Sequence, residues 1–160
     1  MKLAVLAVGK LKAGPEKLLA ETYRMRAAGL GRKAGITGLN VIEAVESQSR
    51  TAVARMTEEA LFFTRKLTPG SFTVVLNESG KSPGSSGFAD FLRRHIDGGT
   101  ADLAFLIGGP DGHAPSIRKE AGFLLSLGPM TWPHRLVRVM LFEQIYRAVT
   151  IMVKHPYHRP

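Results

Sequence analysis

Apolar and polar residues alternate along the chain in a pattern that predicts an α/β fold. Short, almost continuously apolar runs are typical of parallel strands covered on both faces. These predicted strands span residues 3–8, 39–45, 72–76, 103–107 and 123–127. Longer segments with helical periodicity span residues 16–28, 49–67, 86–96, 115–121 and about 133–154. Because strands and helices alternate, we predict a doubly wound, mostly parallel sheet in a single domain over residues 1–160.

Two details of this pattern are specific enough to test. In the first helix, four residues follow the apolar spacing and are expected to face the core: Leu18, Leu19, Tyr23 and Ala27. The following segment, residues 29–38, is rich in Gly, Arg and Lys, and we interpret it as a mobile basic turn or a solvated loop.

The last helix has a wide apolar surface. Its apolar side chains cover an arc of roughly 200°, about twice the width that a surface helix needs. They are Val137, Val139, Leu141, Phe142, Ile145, Ala148, Val149 and Met152. One sheet face cannot cover that arc, so we infer a second partner. Arg138 lies in its middle, and the simpler interpretation is a buried helix whose Arg138 reaches water. We expect Thr131 to cap this helix, with Pro133 in its first turn.

Composition excludes several classes of site. The 160 residues contain no cysteine, which rules out disulfides, zinc–thiolate sites and thiol catalysis. The apolar run at residues 3–8 is too short for a signal peptide or a membrane span. We therefore expect a cytoplasmic protein without membrane association.

The charge distribution indicates a polyanionic partner. The net charge is +9. Residues 1–70 hold 12 Lys and Arg against 6 acids, and residues 131–160 hold 5 against 1, whereas the middle of the chain is balanced. Basic ends that flank a neutral middle favour RNA or DNA binding, although many basic proteins bind no nucleic acid.

Three loops follow the predicted strands where ligands bind in open parallel sheets. They begin after Leu76 and at residues 108–113 and 126–133, and Gly, Ser and Pro dominate them. Such loops let backbone groups approach a ligand closely. The sequence lacks a complete phosphate-loop motif and has no GxGxxG after the first strand. These features favour a cofactor recognised mainly by backbone groups.

The histidines allow other interpretations. His155 and His158 could bind a metal together with His134, but no carboxylate lies near them in sequence and Pro156 breaks the helical register. We therefore expect no metal. A serine hydrolase is disfavoured because the sequence has no GxSxG.

The C-terminal tail has a composition that suits RNA chemistry. Tyr157, His158, Arg147 and Arg159 could stack on a base, hold phosphate and handle a proton. The alternative interpretation is a frayed terminus. The last six residues are all His, Pro, Tyr or Arg, which is unusual for a disordered end.

Five motifs resemble those of the RlmH-type ribosomal RNA methyltransferases, small members of the SPOUT superfamily. They are VLNESGK at 75–81, FLIGGPDG at 105–112, LSLGPMTWPH at 125–134, LVRVMLFEQIYRA at 136–148 and PYHR at 156–159. The resemblance covers nearly the whole chain. Two positions depart from it, since Asn77 replaces an aspartate and His113 replaces a commoner apolar residue.

The resemblance implies a trefoil-knotted domain and a homodimer that packs its C-terminal helices together. It also implies S-adenosyl-L-methionine as the cofactor, bound in the knot. The implied cofactor-binding residues are Leu76, Gly108, Gly109, Gly128, Pro129, Met130, Thr131, Trp132 and Pro133.

The implied reaction is methylation of N3 of pseudouridine 1915 in helix 69 of 23S rRNA, in the assembled ribosome. His158 is the candidate for proton handling, Tyr157 for stacking the base and Arg147 for contact with an anion. Arg138 is then an interfacial or cofactor-side group. The candidate RNA-binding residues are Arg159, Lys10, Lys12, Arg24, Arg32 and Lys33. The alternative is a non-catalytic RNA- or ribosome-binding module with the same fold.

Overall fold

The computed structural model describes residues 1–158, so Arg159, a predicted RNA contact, lies outside the described residues. The strands are β1 Lys2–Val8, β2 Gly38–Ala44, β3 Phe72–Lys81, β4 Asp102–Ile107 and β5 Phe123–Leu125. The helices are α1 Pro15–Gly31, α2 Ala52–Lys66, α3 Ser85–Asp97, α4 Pro115–Lys119 and α5 His134–Met152. The sheet order is β2-β1-β4-β3-β5, and the strands pair in parallel. The prediction of one α/β domain with a parallel sheet is confirmed. Within residues 1–158, the helices are too short or too polar to cross a membrane.

The sheet is buried on both faces, which explains its continuous apolar strands. Alternate residues of β1 point to opposite sides, so that Val5 packs with α1, α3 and α5 whereas Leu6 packs with α2 and α4. Phe105 and Leu106 of β4 divide in the same way. Each such side chain stabilises the fold by roughly 1.5–3 kcal/mol through burial.

The basic segment after α1 is ordered, and its interpretation as a mobile turn is wrong. Helix α1 continues to Gly31, and a 3₁₀ turn follows at Arg32–Ala34. Gly35 adopts a φ of 86°, and the Met1 ammonium group donates a hydrogen bond to its carbonyl oxygen at 2.9 Å. The buried Ile36 anchors the segment beside the sheet.

The prediction of which α1 residues face the core was partly wrong. Leu18 is 72% exposed and Leu19 is 45% exposed, while Tyr23 is half-buried beside Tyr146. Ala27 is buried as predicted, and Ala20, which was not predicted to face the core, is buried as well. Small side chains allow α1 to pack closely, and the larger ones remain on the outer surface.

The apolar arc of α5 is covered from within the same chain. Helices α1 and α3 and the sheet bury Leu141, Phe142, Ile145 and Val149. A second chain is therefore not needed to explain the arc. Helix α5 begins at His134 after an N-cap at Pro133 without a side-chain capping bond, so the predicted cap at Thr131 is wrong.

Arg138 does not reach water, and that interpretation is wrong as well. The residue is 0% exposed. Its guanidinium donates hydrogen bonds to the Glu43 carboxylate and to the carbonyl oxygens of Val8 and Gly9. These acceptors lie at the ends of β1 and β2, where an apolar partner would leave buried polar groups unpaired. Arg138 thus joins α5 to two strands and is not a cofactor-side group of the cleft described below.

Candidate active site

A cleft of about 750 Å³ lies at the carboxyl ends of β4 and β5, beside residues 76–78 within β3. Residues 76–78, 107–113 and 125–134 contribute its walls. Eight of the nine predicted cofactor-binding residues line it, and Pro129 is not among the lining residues. The eight are Leu76, Gly108, Gly109, Gly128, Met130, Thr131, Trp132 and Pro133. The volume lies within the range typical of small-molecule sites, roughly 300–1,000 Å³.

The loop Gly108–His113 forms one wall through a tight turn. The Gly112 N–H donates to the Gly109 carbonyl oxygen at 3.0 Å, and Gly112 has a φ of 78° that favours glycine. At Gly108, an added Cβ would lie 3.0 Å from the Gly112 carbonyl oxygen. The turn therefore requires small residues where it meets the cleft.

Two charged residues of α2 hold this loop, and the sequence did not indicate them. Arg55 binds Asp111 through two hydrogen bonds of 2.6 and 3.0 Å, and Glu59 accepts one from the Gly109 N–H at 3.2 Å. Hydrogen bonding to Arg55 lowers the pKa of the Asp111 carboxyl. One signal in the sequence could have identified this site. Glu59 is an acid on the helical stripe between Met56 and Phe63, which face the core.

The neutral side chain of His113 is buried and binds the first residue of the Gly108–His113 loop. It is 6% exposed and packs 5.4 Å from the Phe63 ring, centroid to centroid. Its Nε2 accepts a hydrogen bond from the Gly108 N–H at 3.0 Å, which assigns the ring proton to Nδ1. Burial lowers the pKa of His113 to about 4. The imidazole is therefore uncharged at physiological pH and holds Gly108 in place.

The third wall, residues 126–134, combines an ordered turn with exposed apolar groups. The Ser126 hydroxyl accepts from the Gly128 N–H at 3.1 Å and donates to the Gly128 carbonyl at 3.0 Å. Met130 is 67% exposed and Trp132 is 38% exposed. Large apolar side chains at the rim of a cleft offer contact area to a ligand.

The predicted catalytic residues Arg147 and Tyr157 lie together around Glu143. Arg147 donates to Glu143 Oε1 from Nε at 2.9 Å and from Nη2 at 2.5 Å, and the Tyr157 hydroxyl donates to the same oxygen at 3.0 Å. The Arg147 Cζ lies 5.0 Å from the Tyr157 ring centroid. Burial raises the pKa of Tyr157, as do hydrogen bonds with Tyr23 and Glu143. Tyr157 therefore remains a proton donor at neutral pH.

This cluster and the cleft are separate within one chain. In the part of the chain that the structure describes, Arg147, Tyr157 and His158 are absent from the cleft lining. Glu143 instead lines a second pocket, of about 420 Å³, between α1 and α5. Residues 125–127 contribute to both pockets and therefore form the wall between them. His158 is half-buried, and its Nδ1 is shielded from solvent.

Comparison with known proteins identifies the family of this chain. A family model described as "Predicted SPOUT methyltransferase" matches residues 1–158. The chain belongs to this SPOUT methyltransferase family. The match and the relatives below confirm the resemblance drawn from the motifs.

Similar proteins carry one name. The chain is 52% identical to "Ribosomal RNA large subunit methyltransferase H" of Rhodopseudomonas palustris (strain TIE-1) over 159 residues, covering 99% of both chains. It is 49% identical to the protein of that name from Nitrobacter winogradskyi, again covering 99% of both chains. The crystal structure of the SpoU methyltransferase AviRb from Streptomyces viridochromogenes, in complex with AdoMet, aligns with a TM-score of 0.43 and 12% identity. That alignment covers 96% of this chain and 61% of AviRb.

The predicted RNA contacts of this SPOUT methyltransferase do not form one compact patch. Lys10 and Lys12 are exposed beyond β1, whereas Arg32 and Lys33 are exposed at the far end of α1. Helix α1 has 17 residues and is therefore about 25 Å long. Arg24, between these two groups, binds Glu21 at 2.5 Å and the Leu39 carbonyl oxygen at 3.2 Å.

The histidines of this SPOUT methyltransferase occupy different surroundings. His134 lines the cleft, 3.7 Å from Glu46, and burial lowers its pKa. Within residues 1–158, no three acidic or histidine side chains converge in a way that could hold a metal ion.

Proposed function

We propose that this chain methylates N3 of pseudouridine 1915 in helix 69 of 23S rRNA, in the assembled ribosome, with S-adenosyl-L-methionine as the methyl donor. The observation that carries the proposal is the glycine-rich cleft at the carboxyl ends of β4 and β5, beside residues 76–78 of β3. Its lining of backbone groups and exposed apolar side chains suits a nucleoside cofactor. The curated relatives that share about half of its residues are large-subunit rRNA methyltransferases by name.

The cleft fits this cofactor by its chemistry. Gly108, Gly109 and Gly128 present backbone groups, and Met130 and Trp132 present exposed apolar surface. The remaining proposed contacts are Leu76, Pro129, Thr131 and Pro133. When bound, S-adenosylmethionine supplies an electrophilic methyl group on a sulfonium. Holding the methyl group in line with the acceptor nitrogen is the main contribution of the protein to rate.

The tail and the last turns of α5 supply the groups that act on the nucleotide. His158 accepts the N3 proton during or before methyl transfer, because N3 becomes nucleophilic as that proton leaves. Tyr157 stacks on the base, and its raised pKa excludes it as the proton acceptor. Arg147 remains cationic beside Glu143 and contacts an anionic group of the RNA.

A homodimer completes the site, with the tail of one protomer reaching the cleft of its partner. Separation of the Glu143 cluster from the cleft within one chain supports this arrangement. Leu18 and Leu19 of α1 are exposed, and Leu19 lines the same pocket as the half-buried Met140 of α5, which supports a contact along these two helices.

The C-terminal segment passes through a trefoil knot. Support comes from residues 125–127, which lie between the extended end of β3 and the cleft. The Ser126 N–H donates to the Lys81 carbonyl at 2.8 Å. A Cβ at Gly80 would lie 2.7 Å from the Leu124 backbone. Arg138 of α5 then contacts the end of β1, which lies two strands away from β3 in the sheet.

Basic residues outside the cleft bind the rRNA backbone in the cytoplasm. They are Lys10, Lys12, Arg24, Arg32, Lys33 and Arg159. The exposed lysines and arginines at both ends of α1 suit an extended RNA surface better than a compact one. Neutralising them weakens binding in a salt-dependent manner, because phosphate contacts release counterions.

The deciding experiment is methyl transfer to ribosomes that lack the modification. Purified protein, labelled S-adenosylmethionine and these ribosomes should yield label in 23S rRNA, and mass spectrometry of nucleosides should find methylated pseudouridine. Free 23S rRNA should be a poorer substrate. Ribosome binding without any transfer would instead support the second candidate, a non-catalytic binding module, which the net charge of +9 also suits.

A further inference from the structure

Helix α2 presents two charged side chains, one turn apart, to the loop that forms one wall of the cleft. Arg55 binds both carboxylate oxygens of Asp111, and Glu59 accepts the Gly109 N–H. Neither α2 residue is among those that line the cleft, in the part of the chain described. Their contacts therefore act on the loop and reach a ligand only through it.

The burial of Glu59 indicates that its carboxylate has a role beyond stabilising the fold. It is 6% exposed and forms no ion pair within 4.0 Å among residues 1–158. Burial raises the pKa of its carboxyl. A buried carboxylate with one backbone hydrogen bond is costly, and an apolar residue of similar size is often better tolerated at such positions.

The Gly108–His113 loop leaves space for the Glu59 carboxylate. A Cβ at Gly109 would lie 2.7 Å from Glu59 Oε1, so the glycine allows the acid to approach the backbone. Bidentate binding of Asp111 by Arg55 fixes the loop two residues later. Two successive turns of α2 thus determine the position of Gly109 and Asp111.

We propose that Arg55 and Glu59 are positioning residues that hold the Gly108–His113 loop in the conformation that binds the methyl donor. The proposal rests on the proposed function, because it assigns the cofactor to this cleft. The α2 contacts orient the loop backbone before binding, so the bound cofactor does not have to order it.

The first test replaces Glu59 and measures S-adenosylmethionine binding by calorimetry. Glu59→Leu removes the acceptor for the Gly109 N–H and should raise Kd at least about tenfold. Glu59→Gln keeps an acceptor oxygen and should remain within about threefold of wild type. Glu58→Leu is the matched control, since the neighbouring Glu58 binds Ser47 and Ser49 instead of the loop.

Thermal unfolding of the same proteins without cofactor separates positioning from stability. The midpoint of Glu59→Leu should equal or exceed that of wild type, because a buried charge is removed. In the transfer assay, KM for S-adenosylmethionine should rise with Kd, while kcat at saturation changes less than about twofold. A residue that acted only through stability would lower the midpoint and leave Kd unchanged.

A charge exchange provides a second test that does not depend on Glu59. Arg55→Asp and Asp111→Arg should each weaken binding about tenfold, and the double variant should recover a measurable part of that loss. If wild type binds and every variant binds equally well, the positioning role is wrong although the proposed function stands. If wild type fails to bind, the proposed function fails, and this inference fails with it.

Discussion

His113 connects the pH dependence of stability to the loop at the cleft. Burial lowers its pKa to about 4, whereas an unfolded histidine titrates near 6.5. Below pH 6.5 the unfolded chain binds a proton that the folded chain excludes, so the free energy of unfolding falls as pH decreases towards 4. Above pH 6.5 this contribution is constant.

A His113→Gln variant should remove this dependence, because glutamine does not titrate and offers an oxygen to the Gly108 N–H. Between pH 7.5 and 5, wild type should lose about 2 kcal/mol more free energy of unfolding than the variant. Urea unfolding at both pH values measures the difference. Parallel losses in the two proteins would show that His113 is not the group responsible.

A second prediction for a single residue concerns His158, the proposed proton acceptor. His158→Ala should lower kcat about 100-fold or more and remove the acidic limb of the pH–rate profile. His155→Ala is the matched control, because His155 is an exposed histidine of the same tail. Full turnover in His158→Ala with an unchanged pH profile would exclude the proton role.

At the scale of elements, Arg138 joins α5 to the ends of β1 and β2. Arg138→Met should lower the free energy of unfolding by about 3 kcal/mol, because Glu43 and two carbonyl groups lose a buried donor. Arg135→Met, in the exposed first turn of the same helix, should change it by less than about 0.5 kcal/mol. Chemical unfolding of both variants measures the contrast, and similar values for the two would contradict the role of Arg138.

The strands show which parts of the fold the sequence predicts and which parts it does not. Runs such as Leu103–Ile107 predict strands because a segment buried on both faces must be apolar throughout. Asn77–Lys81 looks like a loop, yet it extends β3, because its backbone pairs with Leu125 and not because its side chains favour a strand. Its polar side chains carry no signal of that pairing.

One part of the candidate site was predictable from the sequence, and another part was not. Glycine- and proline-rich loops after strands predicted the cleft, because the topology of a parallel sheet brings such loops together. Arg55 and Glu59 were missed, since their partners lie 56 and 50 residues away and depend on how α2 packs. Arg138 was misassigned for the same reason, with its Glu43 partner 95 residues away.

For the whole molecule, the proposed homodimer predicts that each cleft uses the tail of the partner chain. Two inactive variants test this prediction. Gly109→Arg disrupts the cleft, because even a Cβ at that position would lie 2.7 Å from Glu59 Oε1. His158→Ala disrupts the tail, and each variant alone should be nearly inactive.

Mixed dimers, isolated with two different affinity tags, distinguish the two arrangements. If each cleft uses the tail of the partner, a mixed dimer pairs one intact cleft with one intact tail and should show about half of wild-type activity. If each cleft uses the tail of its own chain, neither site in the mixed dimer is intact, and activity should stay near zero. Light scattering should first confirm two chains per particle, because a monomer would overturn the shared site directly. Activity in the mixed dimer would also explain why the Glu143 cluster lies behind residues 125–127 of its own chain, outside the cleft.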